Sequence, residues 1–306
     1  MGNMYKYLCI DIGGTNIKSG LFDKSGNLIE KKVTYTPESG VTDFIKKLDE
    51  IVEPFVSQIR GIAISVPGKV NSEKGIVYHG GSLHYLDKFN FKHVLQDKYN
   101  IPVEIENDGR AATLAEIWRG SMHNVDNGAV IILGTGVGGG IIANGKLLRG
   151  FHDQAGEISF MTLGNSIADK DIVGKLCSSV SLVEACSYKL GIPDKLDGIK
   201  VFDAINDADM RILPIFKHYC ATIAAAILNI HSVIDLQKVA IGGGISSQPV
   251  LIKQIKEEFQ TGIVNSPKIA SNIELPEIVA TTFLSDANLY GGLYNFLNKQ
   301  TKHEGN

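Results

Sequence analysis

Two glycine-rich turns are the stretches of this sequence best suited to chemistry. The first is Asp11–Asn16 (DIGGTN), and the second is Gly134–Gly140 (GTGVGGG). Each turn lies between two apolar runs, a pattern that is typical of a β-hairpin. Because glycine has no side chain, the backbone N–H groups of such a turn can surround an anion such as a phosphate. Two of these turns, one in each half of the chain, predict two lobes that grip one polyphosphate, with a cleft between them.

The usual phosphate-binding motifs do not account for these glycines. The sequence has no G-x-x-x-x-G-K-[ST] motif, and no G-x-G-x-x-G that leads into a helix with an acidic residue about 20 positions later. Ile141 and Ile142 continue the second turn as an apolar run. The phosphate is therefore expected to meet a hairpin and not a helix N-terminus.

Asp108 is the best candidate for a general base. It follows a predicted buried strand directly, and α/β enzymes bind their ligands at that end of a strand. The neighbouring Asn107 has both a donor and an acceptor in its side chain, which suits a hydroxyl ligand. Asn and Asp are also common in turns and at helix N-caps, so a purely structural role for this pair stays open.

Two further carboxylates, Glu157 and Glu184, are candidates for binding a polyol. A carboxylate can accept hydrogen bonds from two hydroxyl groups at once. Glu is mostly exposed in proteins, so the alternative for Glu184 is a solvated helix face. Neither the histidines nor the four cysteines have the spacing of a metal site, and no zinc site is predicted.

Composition places the chain among globular proteins with two domains of ordinary size. It has 306 residues, 44% of them hydrophobic, and a net charge of −3. The slightly acidic charge argues against a nucleic-acid partner. No signal peptide is recognised, and no apolar run has the length of about 20 residues that a membrane helix needs. We therefore expect a cytoplasmic protein without a membrane partner.

The turns and carboxylates must be positioned by strands and helices. Hydrophobic periodicity predicts strands at 4–36 (three antiparallel strands), 59–66, 103–106, 129–149 (a second set of three), 238–241 and 277–281. It predicts helices at 41–58, 91–99, 110–118, 221–234, 250–259 and 288–298, with an irregular loop at 69–88. Strands that alternate with helices imply parallel pairing in an α/β sheet. The predicted division is a small domain of residues 1–118 plus 286–306 and a large domain of residues 119–285.

Six motifs in order strongly resemble the ROK family of sugar kinases (repressors, open reading frames, kinases). They are DIGGT at 11–15, SVPG at 65–68, ENDGRAA at 106–112, GTGVGGG at 134–140, AGEI at 155–158 and GGGI at 242–245. The resemblance runs from residue 5 to about residue 298. It implies the two-lobed actin-like (ribonuclease H-like) ATPase fold, in which each lobe is a mixed α/β sheet with flanking helices, and it suggests a homodimer.

The resemblance also implies roles for individual residues. Asp108 would be the base for the sugar hydroxyl, and the sugar would be bound by Gly68, Asn107, Asp108, Glu157 and Glu184. ATP would be bound by Asp11, Gly13, Gly14, Thr15, Asn16, Lys18, Gly134, Thr135, Gly136, Gly243 and Gly244. Asp11 is expected near the Mg²⁺ ion, through water or phosphate.

This sequence departs from the family pattern at two places. Many members have a His where this chain has Phe160, followed by a cysteine-rich zinc motif that is reduced here to Cys177 and Cys186. The missing His removes a hydrogen bond near the C1 and C2 hydroxyls of the sugar, and Phe160 offers an apolar surface instead. This change hints at a sugar that is substituted at C1 or C2, such as a β-glucoside or an N-acetylated sugar, and a plain hexose stays open.

The expected function is an ATP-dependent kinase acting on a hydroxyl, with O6 as the expected position, of a hexose or hexoside, like a glucokinase or a β-glucoside kinase. The alternative enzymes are an N-acetylmannosamine kinase and a fructose kinase. The alternative that is not an enzyme is a sugar-sensing regulator, either a repressor or a catalytically silent sensor. Repressors of the family carry a helix-turn-helix domain ahead of the first glycine turn, and only ten residues precede Asp11 here.

Overall fold

The computed structural model describes the backbone of residues 5–304 and the side chains of residues 5–301, and it divides into two compact units. Unit 1 contains the chain up to Trp118, the short segment Gly150–Gln154 and the chain from Asp286 onward. Unit 2 contains Arg119–Arg149 and Ala155–Ser285. The predicted division differs in one place, because it assigned residues 150–154 to the large domain. These residues belong to unit 1, where the guanidinium of Arg110 donates a hydrogen bond to the carbonyl of Asp153.

The strands and helices are numbered in chain order. The strands are β1 Lys6–Ile12, β2 Asn16–Asp23, β3 Leu28–Tyr35, β4 Ile59–Val66, β5 Lys69–Asn71, β6 Ile76–Tyr78, β7 Phe89–Asn90, β8 Val103–Asn107, β9 Gly128–Leu133, β10 Val137–Ala143, β11 Lys146–Leu147, β12 Lys238–Gly243 and β13 Glu277–Ala280. The helices are α1 Val41–Val52, α2 Asp97–Tyr99, α3 Asp108–Arg119, α4 Val173–Leu176, α5 Ser179–Leu190, α6 Gly198–Asn206, α7 Leu213–Ile234, α8 Pro249–Val264, α9 Pro267–Ala270 and α10 Ala287–Glu304.

Each unit contains a five-stranded sheet, and the two sheets have the same strand order and pairing. In unit 1 the strand order is β3-β2-β1-β4-β8, and in unit 2 it is β11-β10-β9-β12-β13. The first three strands of each set pair antiparallel, and the last two join them in parallel. The second strand is joined to the first through a glycine turn in both sheets. The two hairpins predicted from the glycines are therefore present, one in each five-stranded sheet. Residue 4, which was included in the first predicted set of strands, lies outside the described residues.

Burial explains the arrangement of unit 1. Every residue of β1 after Lys6 is buried, as expected for a central strand covered on both faces. Helix α1 buries Phe44, Leu48 and other apolar residues at helical spacing against the core beside this sheet. The helix was predicted to reach residue 58, but it ends at Val52. A 3₁₀ turn that contains Pro54 follows, because proline has no N–H to continue the α-helical hydrogen bonds.

One local prediction in unit 1 is wrong. The segment 69–88, expected to be an irregular loop, contains β5 and β6, which pair with β7 in a small antiparallel sheet. These strands have two or three residues each, too few to show an alternating pattern, and only Val70 and Val77 of β5 and β6 are buried. The helix expected at 91–99 is present, but its middle part, Lys92–Gln96, is a π-helix, which is followed by the single turn of α2.

In unit 2, helix α7 runs through the hydrophobic core. Its buried side includes Phe216, Ile223 and Ile227, which pack with residues of β9, β12 and α8. Among the described residues, α7 alone has the length and hydropathy that a membrane-spanning helix would need. Because its buried side completes the core of this unit, we interpret it as a core helix.

Candidate active site

Three of the predicted site segments lie at one edge of the sheet of unit 1. The strands β1, β4 and β8 are parallel, so their carboxyl ends meet at the same edge. In the register of these strands, Asp11 lies opposite Ser65, which in turn lies opposite Glu106. The first glycine turn, the Pro67-Gly68 turn and Asp108 follow directly after these ends. Ligands of open α/β sheets bind at this position.

Asn107 connects two of these segments. Its side-chain Nδ2 donates to the carbonyl of Gly68 at 3.0 Å and to Oδ1 of Asp108 at 2.9 Å. Its Oδ1 accepts from the backbone N–H of Arg110 at 3.2 Å, which is the geometry of an N-cap. Asn107 therefore caps α3, and Asp108 is the first residue of this helix.

The Asp108 carboxylate is half-buried at the N-terminus of α3. Its Oδ1 accepts a hydrogen bond from the backbone N–H of Gly109 at 2.8 Å. The positive end of a helix dipole favours an ionised carboxylate. Asp108 therefore has the position and the environment of a carboxylate that can accept a proton from a ligand hydroxyl.

Gly68 has a conformation that requires glycine. Its φ is +98°, and a Cβ atom on it would lie 2.9 Å from the backbone nitrogen of Gly80. A side chain is excluded both by the backbone angle and by this close approach. The Pro67-Gly68 turn is thereby packed against the Gly80-Gly81 loop, with its carbonyl directed to Asn107.

Asp11 is a buried carboxylate, 7% exposed, at the end of β1. Its Oδ1 accepts from Nδ2 of Asn288 on α10 at 2.9 Å, and its Oδ2 lies 3.8 Å from Nζ of Lys18. Burial raises the pKa of Asp11 above its ordinary value, against the opposing effects of Asn288 and Lys18. Sequence reasoning did not find Asn288, since it lies 277 residues along the chain from Asp11.

The first glycine turn is closed by a hydrogen bond within it and is fixed by Thr36, which contacts it from one side. The Gly13 N–H donates to the Asn16 carbonyl at 2.9 Å, and the buried Thr36 hydroxyl donates to the Gly13 carbonyl at 2.7 Å. The Thr36 N–H donates in addition to the Thr15 carbonyl at 3.0 Å. Because the C=O and the following N–H of a trans peptide point in opposite directions, the N–H of Gly14 points away from Thr36. Thr36 is a second residue that sequence reasoning missed.

The second glycine turn lies at the matching edge of the sheet of unit 2. Strands β9 and β12 are parallel, and Gly243 at the end of β12 lies opposite Leu133 at the end of β9. Gly134 and Gly244, the residues that follow, are therefore at the same sheet edge. The turn is closed by a hydrogen bond of 2.9 Å from the Gly134 N–H to the Gly136 carbonyl.

A cavity of about 600 Å³ lies in unit 2 close to Gly244. It is lined by apolar residues such as Ile252 and Leu284 and by polar residues that include Ser247, Lys253 and Glu257. The hydroxyl of Ser247 is 3.5 Å from the Gly244 carbonyl, so the cavity adjoins the turn after β12. A concave site that is lined by both apolar and polar side chains is suited to a small organic ligand.

The two predicted glutamates of unit 2 differ in their surroundings. Glu157 is half-buried and directly precedes the 3₁₀ turn Ile158–Phe160, in which the Phe160 side chain is 70% exposed. Glu184 is exposed on α5, as its structural alternative requires. The structure therefore gives Glu157 a more defined environment than Glu184.

The shortened cysteine motif, at which no zinc is predicted, contains two buried thiols. Burial raises the pKa of Cys177 to about 12 and that of Cys186 to about 11. Both thiols are therefore neutral at physiological pH. Among residues 5–301, no group of three or more His, Cys, Asp or Glu side chains is arranged to hold a metal ion.

Comparison with known proteins shows similarity over almost the entire chain. A model of the ROK family matches residues 7–298. A β-glucoside kinase of Listeria monocytogenes is 30% identical over 306 residues, covering 98% of this chain and 100% of that protein. A glucokinase of Halalkalibacterium halodurans is 29% identical over 313 residues, covering 94% of this chain and 93% of that protein.

A solved structure extends the comparison to the fold. A ROK family protein of Streptococcus pneumoniae in complex with sucrose superposes with a TM-score of 0.87 at 31% identity, covering 97% of this chain and 99% of that one. The repeated order of three antiparallel and two parallel strands is that of the actin-like, ribonuclease H-like ATPases, so the predicted fold class is confirmed. With the family model matched from residue 7 to residue 298, this chain belongs to the ROK family.

Proposed function

We propose that this sugar kinase transfers the γ-phosphoryl group of ATP to O6 of a hexose or hexoside, with Asp108 as the general base. The observation that carries the proposal is the shared sheet edge of unit 1. There the Asp108 carboxylate, the Pro67-Gly68 turn and the first glycine turn follow three neighbouring parallel strands. A proton acceptor, a turn that can bind hydroxyls and a turn that can bind phosphate are the groups that a sugar kinase needs.

The sugar contacts are proposed for five residues. Gly68, Asn107 and Asp108 are joined by hydrogen bonds in unit 1. Glu157 and Glu184 of unit 2 complete the proposed set, with Glu157 as the stronger candidate because it is half-buried. Carboxylate and amide side chains that accept and donate hydrogen bonds can distinguish one pattern of hydroxyls from another.

The ATP contacts are proposed for the two glycine turns and the residues beside them. Gly13, Gly14, Thr15, Asn16 and Lys18 would face the phosphates from unit 1, and Gly134, Thr135 and Gly136 from unit 2. Gly243 and Gly244 would line the adenosine, with the base in the adjoining cavity of about 600 Å³. The apolar wall formed by Ile252 and Leu284 suits a flat aromatic base.

The chemistry of Asp11 fits a Mg²⁺ ion that is bound through water or phosphate. Carboxylate oxygen is a preferred ligand of Mg²⁺, and this carboxylate is fixed by Asn288 at the end of a buried strand. When bound, Mg²⁺ would neutralise charge on the phosphates of ATP. The chain itself would supply the backbone N–H groups of the turns, while Asp108 accepts the hydroxyl proton as the sugar oxygen attacks.

Asp11→Asn tests the role of this carboxylate through two opposite effects. We expect kcat/KM for Mg-ATP to fall by about 100-fold or more, because the carboxylate that would hold Mg²⁺ beside the phosphates is lost. We also expect a higher melting temperature in Mg²⁺-free buffer at neutral pH. The Asp11 pKa is higher in the folded protein, so its ionised form opposes folding above that pKa and a neutral amide removes this cost.

The pH dependence checks the sign of the stability effect. As the pH falls through the pKa of Asp11, the wild-type carboxyl becomes neutral, so the difference in melting temperature between the two proteins should narrow. Asp207→Asn is the matched control, since Asp207 is an exposed residue at the end of α6. A melting temperature for Asp11→Asn that is lower than that of wild type at neutral pH would contradict the argument from burial.

The proposed reaction is tested by coupled ADP release over a panel of acceptors. The panel contains glucose, mannose, fructose, N-acetylmannosamine, N-acetylglucosamine and β-glucosides, and we expect ATP-dependent turnover with a hexose or β-glucoside. Highest kcat/KM with N-acetylmannosamine or fructose would select one of the alternative kinases. Sugar binding without ADP release from any member of the panel would refute the kinase proposal and favour the silent sensor.

Phe160→Ala tests whether the exposed ring contributes to acceptor choice. Stacking of an aromatic ring on an apolar substituent is worth about 1 kcal/mol, so we expect kcat/KM for an aryl β-glucoside to fall about fivefold relative to glucose. The melting temperature should not change, because the ring is 70% exposed. Phe151→Ala, at a ring that is 97% exposed, is the control. An unchanged ratio of the two kcat/KM values would exclude this role.

We further propose that the protein is a cytoplasmic homodimer. The resemblance to the family supports this proposal, and light scattering of the purified protein tests the oligomeric state.

A further inference from the structure

The carbonyl groups of the second glycine turn are held by two serines at the start of α5. The hydroxyl of Ser179 donates to the Gly134 carbonyl at 2.9 Å, and the hydroxyl of Ser178 donates to the Thr135 carbonyl at 2.7 Å. The backbone N–H of Ser179 donates to the same Gly134 carbonyl, also at 2.9 Å. Ser178 is 2% exposed and Ser179 is 8% exposed. Three hydrogen bonds from one buried segment therefore fix two successive peptide groups of the turn.

The direction of these carbonyls determines the direction of two N–H groups. In a trans peptide, the C=O of one residue and the N–H of the next point to opposite sides. The N–H of Thr135 therefore points away from Ser179, and the N–H of Gly136 points away from Ser178. Within the part of the chain that the structure describes, neither N–H donates to an acceptor, and both residues are exposed. Two successive donors on one side of a turn form an anion-binding concavity.

The Ser178 oxygen also connects the turn to a rigid element. It accepts a hydrogen bond from the Ser181 N–H at 3.2 Å, so it is the N-cap of α5. Helix α5 is anchored in the core of unit 2 by Leu182, Val183 and Cys186. The glycine turn is thus fastened to a packed helix, although glycines alone would leave it conformationally free.

We propose that Ser178 and Ser179 are positioning residues that aim the N–H groups of Thr135 and Gly136 at the phosphates of ATP. The inference rests on the proposed function in one respect, namely that this turn binds phosphate. Donors that are oriented before the ligand arrives need no reorganisation when charge develops. Without the two hydroxyls, the peptide groups can rotate, and part of the binding free energy is then used to order them.

Binding of ATP and of adenosine, measured by calorimetry for Ser178→Ala and Ser179→Ala, tests the inference. We expect each substitution to weaken ATP binding by about tenfold, whereas adenosine, which lacks phosphates, should bind within about twofold of wild type. The KM for the sugar should change by no more than about twofold, since the serines act through the phosphate turn. Ser179→Ala keeps the backbone N–H to Gly134 and the cap of α5, so it tests the turn without disturbing the helix.

Two further variants separate positioning from stability. Ser187→Ala on the same helix is the matched control, because its buried hydroxyl has no hydrogen-bond partner among the described residues, and ATP affinity should stay at the wild-type value. Ser178→Thr keeps the hydroxyl and should restore ATP binding relative to Ser178→Ala.

The possible results distinguish this inference from the proposed function. Equal weakening of ATP and adenosine would mean a general disturbance of unit 2 and would overturn the positioning role. Unchanged ATP affinity in both alanine variants, with a wild type that binds ATP, would overturn the inference alone. A wild type that does not bind ATP would overturn the proposed function together with the inference.

Discussion

Asp108→Asn is expected to lower kcat by about 1,000-fold while the affinity for the sugar stays within about threefold of wild type. The amide cannot accept the proton of the attacking hydroxyl, which is the contribution assigned to the carboxylate. Its oxygen can still accept the hydrogen bonds that Asn107 and Gly109 donate to Oδ1 of Asp108. The fold of α3 and the direction of the Gly68 carbonyl should therefore be preserved, so a loss of turnover reports on proton transfer.

The measurement for Asp108→Asn combines single-turnover kinetics with sugar binding by calorimetry. Asn107→Ala is the comparison variant, because it removes both the link to Gly68 and the cap of α3, and it should lose sugar affinity as well as turnover. Turnover of Asp108→Asn within tenfold of the wild-type value would show that another group accepts the proton. A loss of sugar binding in this variant would show that the carboxylate mainly binds the substrate.

The elements that sequence reasoning predicted well are those with local signals. The bounds of β4 agree with the prediction from its apolar run, which is closed by Pro67-Gly68. The three-stranded sets in both units follow from glycine turns between short apolar runs. Hydrophobic spacing also located α7 and α8. Helix α7 ends at Ile234 as predicted but begins earlier, and α8 extends beyond its predicted bounds at both ends, because helix ends are set by packing and capping.

The parts that escaped prediction depend on contacts between distant residues. Asn288 is connected to Asp11 by tertiary folding alone, and nothing in its neighbourhood on α10 indicates a carboxylate partner. Thr36 and the two serines of α5 act through hydroxyl bonds to backbone carbonyls, and most serines and threonines of a sequence could make such bonds. Residue type and motif spacing thus identified the groups that would touch ligands, but not the groups that hold them in place.

Gly243→Ala is expected to prevent stable folding of unit 2. Gly243 has a φ of +101°, and a Cβ atom there would lie 2.0 Å from the carbonyl oxygen of Leu133, its partner in the pairing of β12 with β9. The oxygen belongs to the backbone of a buried central strand, so it cannot move aside without breaking the sheet. Strained backbone together with this overlap should cost about 3 kcal/mol or more of folding free energy.

Gly244→Ala supplies the control for this prediction, because it adds the same methyl group one residue later. No heavy atom lies within 4 Å of a Cβ at Gly244, and its φ is not in the left-handed region. Its melting temperature should equal that of wild type, and its KM for ATP should rise, since Gly244 is proposed to line the adenosine. A wild-type melting temperature for Gly243→Ala would refute the steric argument, whereas an unchanged KM for ATP in Gly244→Ala would remove Gly244 from the nucleotide site. Thermal melting of the two variants therefore separates the requirement for glycine in the sheet from its proposed role beside the ligand.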